Sequence, residues 1–180
     1  MPRKQILPRP AALRLKITRV IDALEKCYGP QPWRSWGNPL DGLIGTVLSQ
    51  HTSDVNSDAA FASLKRVFPT WKACMPAPAA QVERAIRSGG LARQKTRSIQ
   101  AILRAVQTDR GRLSLEFLRR RPMEEARSYL LAMPGVGPKT AACVLLFYLG
   151  RPPLPVDTHV HRVSSRRGLL PADATAEAAP

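Results

Sequence analysis

The sequence predicts an all-α protein, and three observations predict it. Apolar residues recur at three- and four-residue intervals in one segment after another. Proline and most of the glycines fall between those segments rather than within them. No stretch alternates apolar and polar residues as a half-buried strand does, and neither a repeat nor a heptad pattern runs through the chain. At 180 residues, 44% of them hydrophobic, the chain is long enough for one domain or two small ones with a real core.

Charge narrows the partner. Lysine and arginine number 28 against 13 aspartates and glutamates, a formal charge of +15. Such a balance points to a polyanion, of which nucleic acid is the commonest, although a basic protein of the ribosomal type has the same signature. The three cysteines, Cys27, Cys74 and Cys143, match no metal-ligand spacing and suggest no disulfide, which fits a reducing compartment. No long apolar run follows the basic amino end, so neither a signal peptide nor a membrane span is expected.

Residues 1–10 read as a loose basic arm. From Ala11 a helix follows, with Leu13, Ile17, Val20, Ile21 and Leu24 on one side, ended by Gly29-Pro30. Trp33 and Trp36, in the next loop, are expected to pack on the core. Asn38-Pro39 is a helix start, a cap residue and then proline in the first turn. The helix from Leu40 to Ser49 is almost wholly apolar and should be buried. The polar cluster Ser49 to Asp54 precedes a helix over Val55–Phe68, which Asp54 is expected to cap. A short turn at Trp71 and a helix over Ala79–Arg87 come next, the latter closed by Gly89-Gly90. Lys95 to Val106 is amphipathic, with Ile99, Ile102, Leu103 and Val106 inward and Arg93, Lys95, Arg97 and Arg104 elsewhere around it. Cys143 is expected in the core.

The chemistry concentrates in Met133-Pro134-Gly135-Val136-Gly137-Pro138-Lys139-Thr140-Ala141. Helices over Met123–Ala132 and Lys139–Leu149 would meet at Gly135 and Gly137, where glycine tolerates positive φ and lets another backbone come close. Pro138 suits the first helical position. Such a turn aims backbone N–H groups and a positive helix end outward, an arrangement that suits a phosphate. Lys139 lies in that helix's first turn, where the positive end works against an ammonium and favours the nucleophilic amine. Asp157 follows 18 residues later, after the bend Arg151-Pro152-Pro153-Leu154-Pro155, and should cap a last helix over Thr158–Arg167. His159 and His161 are two apart, so a helix points them in different directions and no shared metal site is expected.

The pattern Pro-Gly-Val-Gly-x-Lys-Thr-Ala, then Val-Asp-Thr-His, resembles the helix-hairpin-helix DNA glycosylases, endonuclease III most of all. The resemblance runs from about Leu13 to Leu170. It implies a six-helix barrel domain over 38–150 with the hairpin at 123–149. The first helix and loop (11–37) and a return segment (151–180) would form an incomplete second helical lobe. It implies Lys139 as nucleophile and Asp157 as its partner, and so a bifunctional glycosylase and abasic-site lyase of base-excision repair. A damaged base of the oxidised-pyrimidine class would be flipped into a pocket between the lobes. The hairpin residues Gly135, Val136, Gly137 and Thr140 would hold DNA phosphates, with a monovalent cation there in many relatives. The loop carrying Gln50 and His51 would fill the gap left by the base. Here the chain departs from the family, with His51 where a glutamine is usual and Gln50 where a small residue is. Gly90-Leu91-Ala92-Arg93-Gln94-Lys95 resembles a segment whose leucine, here Leu91, is a wedge in the base stack; a core contact closing the helix cap is the other reading.

The family usually carries a 4Fe–4S cluster on four cysteines, and no cysteine follows Cys143, so a truncated chain without the cluster is expected. Leu13, Ile17 and Val163 would then lack partners. The implied protein is a monomer acting on damaged or abasic double-stranded DNA in the nucleoid of the cytoplasm, with no membrane. The alternative is a helix-hairpin-helix module that binds DNA and performs no chemistry.

Overall fold

The computed structural model of the chain describes residues 10–171 and 174–175. Its α-helices are α1 (Pro10–Tyr28), α2 (Pro39–Ser49), α3 (Asp54–Val67), α4 (Trp71–Cys74), α5 (Ala79–Ala85), α6 (Ala92–Arg110), α7 (Met123–Leu131), α8 (Pro138–Cys143) and α9 (Thr158–Arg166). Two 3-10 turns, Arg87–Gly89 and Glu116–Arg120, and a π turn, Val144–Tyr148, complete the helical structure. No strand occurs among the described residues. The expected basic arm lies outside them as far as residue 9. The chain divides into two units, one Ser35–Pro153, the other Met1–Arg34 with Leu154–Pro180.

Within Ser35–Pro153, α2 is the centre, packed against α3, α6, α8 and the π turn. Its start follows the sequence signal. Asn38 caps it, its side-chain oxygen accepting from Leu40 N at 2.9 Å and Asp41 N at 3.2 Å, and Pro39 opens the first turn. Leu40, Leu43, Ile44 and Leu48 are fully buried, each worth roughly 1.5–3 kcal/mol as an apolar side chain removed from water. Ile99, Ile102, Leu103 and Val106 supply the facing layer from α6 and are fully buried as well. Gln100, also on α6, donates to Ala77 O at 2.7 Å and so ties down the connection from α4 to α5.

The apolar run after Lys139 does not continue as one α-helix. It changes to a π turn at Val144, with Leu149 N donating to Val144 O at 3.1 Å. This winding offers its last carbonyls to outside donors. Phe147 O accepts from Trp36 N at 3.0 Å, and Tyr148 O accepts from Arg119 at 2.6 Å. Tyr148 then lies so close to α2 that a Cβ at Gly42 would sit 2.6 Å from its ring, so only glycine fits there.

Several expectations are corrected. Ser53, not Asp54, caps α3, accepting from Asn56 N at 3.4 Å; Asp54 is the first helical residue, where its charge favours the positive helix end. Trp33 and Trp36 are 50% and 64% exposed rather than in the core; Trp36 stacks on Phe147, with ring centroids 4.3 Å apart. Cys143 is only half-buried. Lys95 is buried, 3% exposed, and does not belong to a solvated face.

In the other unit, α1 and α9 form where expected, yet neither carries a buried residue. Leu15, Ile17, Ile21 and Leu24 on α1 and Val163 on α9 are exposed, whereas Leu13 is half-buried. No helix among the described residues is long and apolar enough to cross a membrane.

Thr96, beside Lys95, is fully buried and its hydroxyl has no hydrogen-bond partner. Thr96→Val replaces that unsatisfied group with a methyl of the same shape. It is expected to raise stability by about 1 kcal/mol, read as a higher urea midpoint at constant m-value. A drop in midpoint would show that the hydroxyl is satisfied in solution.

Candidate active site

The hairpin joins α7 to α8 and is anchored from inside. Met133 and Val136 are each 7% exposed, while Gly135, Gly137 and Pro138 face outward. Gly135 has φ +79°, and a Cβ there would lie 2.8 Å from Ser98 Oγ on α6. Conformation and space both demand glycine. Gly137 differs: its backbone is extended (φ −93°, ψ 179°), and nothing lies within 4 Å of where a Cβ would be. The space outside Gly137 is open to an incoming group. Gly137 is also the cap of α8 and has no side chain to satisfy the first-turn N–H groups. Gly135→Ala is therefore expected to cost about 1–3 kcal/mol in a thermal melt. Gly137→Ala should leave the melt unchanged, because its backbone is extended and its surroundings are open. Equal melting losses for both would contradict this division.

Lys139 is exposed in the first turn of α8. Thr140 points the other way. It is buried, and its Oγ1 lies 3.3 Å from Gln50 Nε2. The same amide donates to Gly135 O at 2.9 Å. Gln50 thus ties the end of α2 to the hairpin through its side-chain Nε2. His51, next in the chain, is exposed and has φ +53°.

Leu91 is 52% exposed with φ +46°, so it is no core contact closing a cap. His51 and Leu91 are the described non-glycine residues held at positive φ. A left-handed backbone costs a non-glycine residue roughly 1–2 kcal/mol, and such strain collects at functional positions. Leu91, Ala92, Arg93, Gln94 and Arg97 line a shallow hollow of about 490 Å³. A second cavity in the same unit, about 670 Å³, runs along α2 and α3 and is lined among others by Trp36, Asp41, Asp54, Phe61 and Tyr148.

Asp157 belongs to the other unit. It is half-buried and caps α9, its Oδ1 accepting from His159 N at 2.9 Å and Val160 N at 2.7 Å. His159 Nδ1 accepts from Arg162 at 3.0 Å, and His161 Nε2 donates to Ala174 O at 2.7 Å, so the two rings have separate partners.

Three cysteines cannot supply the four thiolates of an iron–sulfur site, and they stand on α1, α4 and α8. No group of three or more metal-ligating side chains occurs among the described residues.

Sequence reasoning missed Lys95. Its Nζ donates to Leu48 O at 2.7 Å and to Gly89 O at 2.8 Å, and burial pulls its pKa below the usual lysine value. A signal existed: Lys95 stands four residues before Ile99 and seven before Ile102, on the buried stripe of α6.

The fold and hairpin define a helix-hairpin-helix protein, and comparison with known proteins specifies it further. Residues 44–179 match the family described as HhH-GPD superfamily base excision DNA repair protein. An Arabidopsis thaliana protein provisionally named a DNA glycosylase is 47% identical over 135 residues, 75% of this chain and 46% of its own. Endonuclease III of Thermotoga maritima is 38% identical over 132 residues, 73% of this chain and 57% of its own. An endonuclease III trapped as a covalent intermediate with DNA superposes with a TM-score of 0.75 at 32% identity, over 92% of this chain and 74% of that one. The chain belongs to the HhH-GPD superfamily of base excision DNA repair proteins. It spans about half the length of the curated relatives it matches.

Proposed function

We propose that this chain carries the catalytic core of a DNA glycosylase with abasic-site lyase activity, acting on double-stranded DNA that holds an oxidised pyrimidine or an abasic site. The observation that carries the reading is Lys139, an exposed amine in the first turn behind a glycine hairpin whose outer side is open. Binding alone needs cations but no nucleophile at that place. The likeness to an endonuclease III caught covalently on DNA supports the same chemistry.

In this reading the hairpin backbone takes a phosphate, and His51 and Leu91 enter the duplex beside the extruded nucleotide. Unstacking costs a few kcal/mol, which inserted side chains offset. The Lys139 amine attacks C1′. A C1′–N bond forms to the lysine, the glycosidic bond breaks, and the base leaves with a proton. The Asp157 carboxylate steadies the positive charge that develops on the sugar. Ring opening gives an imine, loss of a C2′ proton follows, and the C3′–O bond breaks with the 3′ phosphate as leaving group. Gln50 and Thr140 position the hairpin from inside, and the basic residues Arg93 and Arg97 beside Leu91 meet phosphates.

The test is borohydride trapping on a duplex with a single abasic site. A covalent protein–DNA band is expected. Its absence from a folded sample that binds the duplex leaves a DNA-binding module without chemistry.

A further inference from the structure

His51 and Leu91 are 40 positions apart in sequence, and each sits in a strained left-handed conformation at the edge of its own loop. One side chain reaches both loops. Leu48, whose carbonyl accepts from Lys95, lies in the last turn of α2, three residues before His51. Gly89, whose carbonyl also accepts from Lys95, ends the 3-10 turn two residues before Leu91. Both carbonyls close helical turns and have no helical partner of their own, and an ammonium satisfies two of them at once. At 3% exposure this ammonium is shielded from direct contact with water, and its loss leaves two carbonyl acceptors without their donor. Gln50, between Leu48 and His51, adds the tie to the hairpin at Gly135. A buried lysine of this kind is costly unless its bonds are made, so it holds the two loops in one fixed relation.

We infer that Lys95 is a positioning residue that fixes His51 and Leu91 relative to each other, so that the two enter a duplex as one unit. The inference rests on the proposed repair reading for what the two residues do. The coupling of the loops stands on the hydrogen bonds alone. Insertion by a coupled pair meets the ordering cost of both loops once, during folding. Uncoupled loops meet it on every encounter with DNA.

The test compares the wild-type chain, Lys95→Met, Leu91→Ala and the double variant. Hydrogen exchange is expected to quicken together at residues 49–53 and 88–92 in Lys95→Met, with the amides of α7 unchanged. Change in a single loop, or a uniform rise everywhere, overturns the coupling. On DNA, 2-aminopurine opposite a tetrahydrofuran abasic analogue reads unstacking. Its brightening is expected to fall at least about fivefold, and single-turnover cleavage of an abasic duplex about tenfold, while cleavage of an abasic single strand changes less than about twofold. Leu91→Ala should then add less than about twofold in the Lys95→Met background, because coupled residues are non-additive. Equal losses on duplex and single strand, or full additivity, overturn the positioning role. If Lys95→Met does not melt cooperatively, Lys95→Gln, whose amide donates to a single carbonyl, carries the same readouts. A wild-type chain that neither brightens nor cleaves sinks the repair reading, and hydrogen exchange still decides the coupling.

Discussion

Lys139→Ala is expected to abolish the borohydride-trapped band and to lower cleavage of an abasic duplex by about a thousandfold or more, the scale seen when a covalent nucleophile is removed. The fold should not notice. Lys139 is exposed, and alanine is the better helix former. Binding should weaken only by one charge among many, which lowers the slope of log affinity against log salt by about one. Lys139→Arg separates charge from nucleophilicity. It keeps the cation, so binding and its salt slope stay, yet a guanidinium stays protonated and cannot attack C1′, so trapping is lost. A band that survives in Lys139→Ala would assign the attack to another amine and remove the main support for the proposed mechanism.

The parts of this molecule legible in the sequence are those decided locally. The cap at Asn38 with Pro39 behind it, the glycine hairpin, the inward stripe of Ile99, Ile102, Leu103 and Val106, and Asp157 at the head of α9 each follow from a few neighbouring residues, and all appear in the structure. The parts that were not legible depend on distant partners. Lys95 is satisfied by carbonyls 47 and 6 residues away, and without those carbonyls a lysine in a helix reads as a surface residue. Gln50 finds its acceptor 85 residues on, a tie that the loop sequence does not reveal. The π turn escapes notice because its apolar residues have the same spacing as an α-helix; the donors at Trp36 and Arg119 that take its carbonyls come from elsewhere. The positive φ at His51 and Leu91 is invisible in composition, since leucine rarely and histidine only occasionally adopts it. Two loops that sequence resemblance marks for insertion into DNA are thus the two places where the backbone departs from what its residues prefer.

Asp157→Asn separates a structural role from a chemical one. As the cap of α9, Asp157 accepts two N–H groups on a single oxygen, and asparagine offers the same oxygen with comparable capping strength. The melt of Asp157→Asn should therefore stay within about 0.5 kcal/mol of the wild type, whereas Asp157→Ala loses about 1 kcal/mol with the cap. Chemistry should part company with stability. In the proposed mechanism the carboxylate steadies the positive charge that develops on the sugar as the base departs, so its loss is expected to slow base removal by about 10²–10³-fold. Attack on a preformed abasic aldehyde passes through no such sugar cation at the first step, so borohydride trapping on an abasic duplex should fall much less than excision of an oxidised pyrimidine. Single-turnover excision and trapping, measured side by side on both variants, read this ratio. If Asp157→Asn excises as fast as the wild type, the carboxylate is a helix cap alone, and Lys139 must draw its assistance from another group.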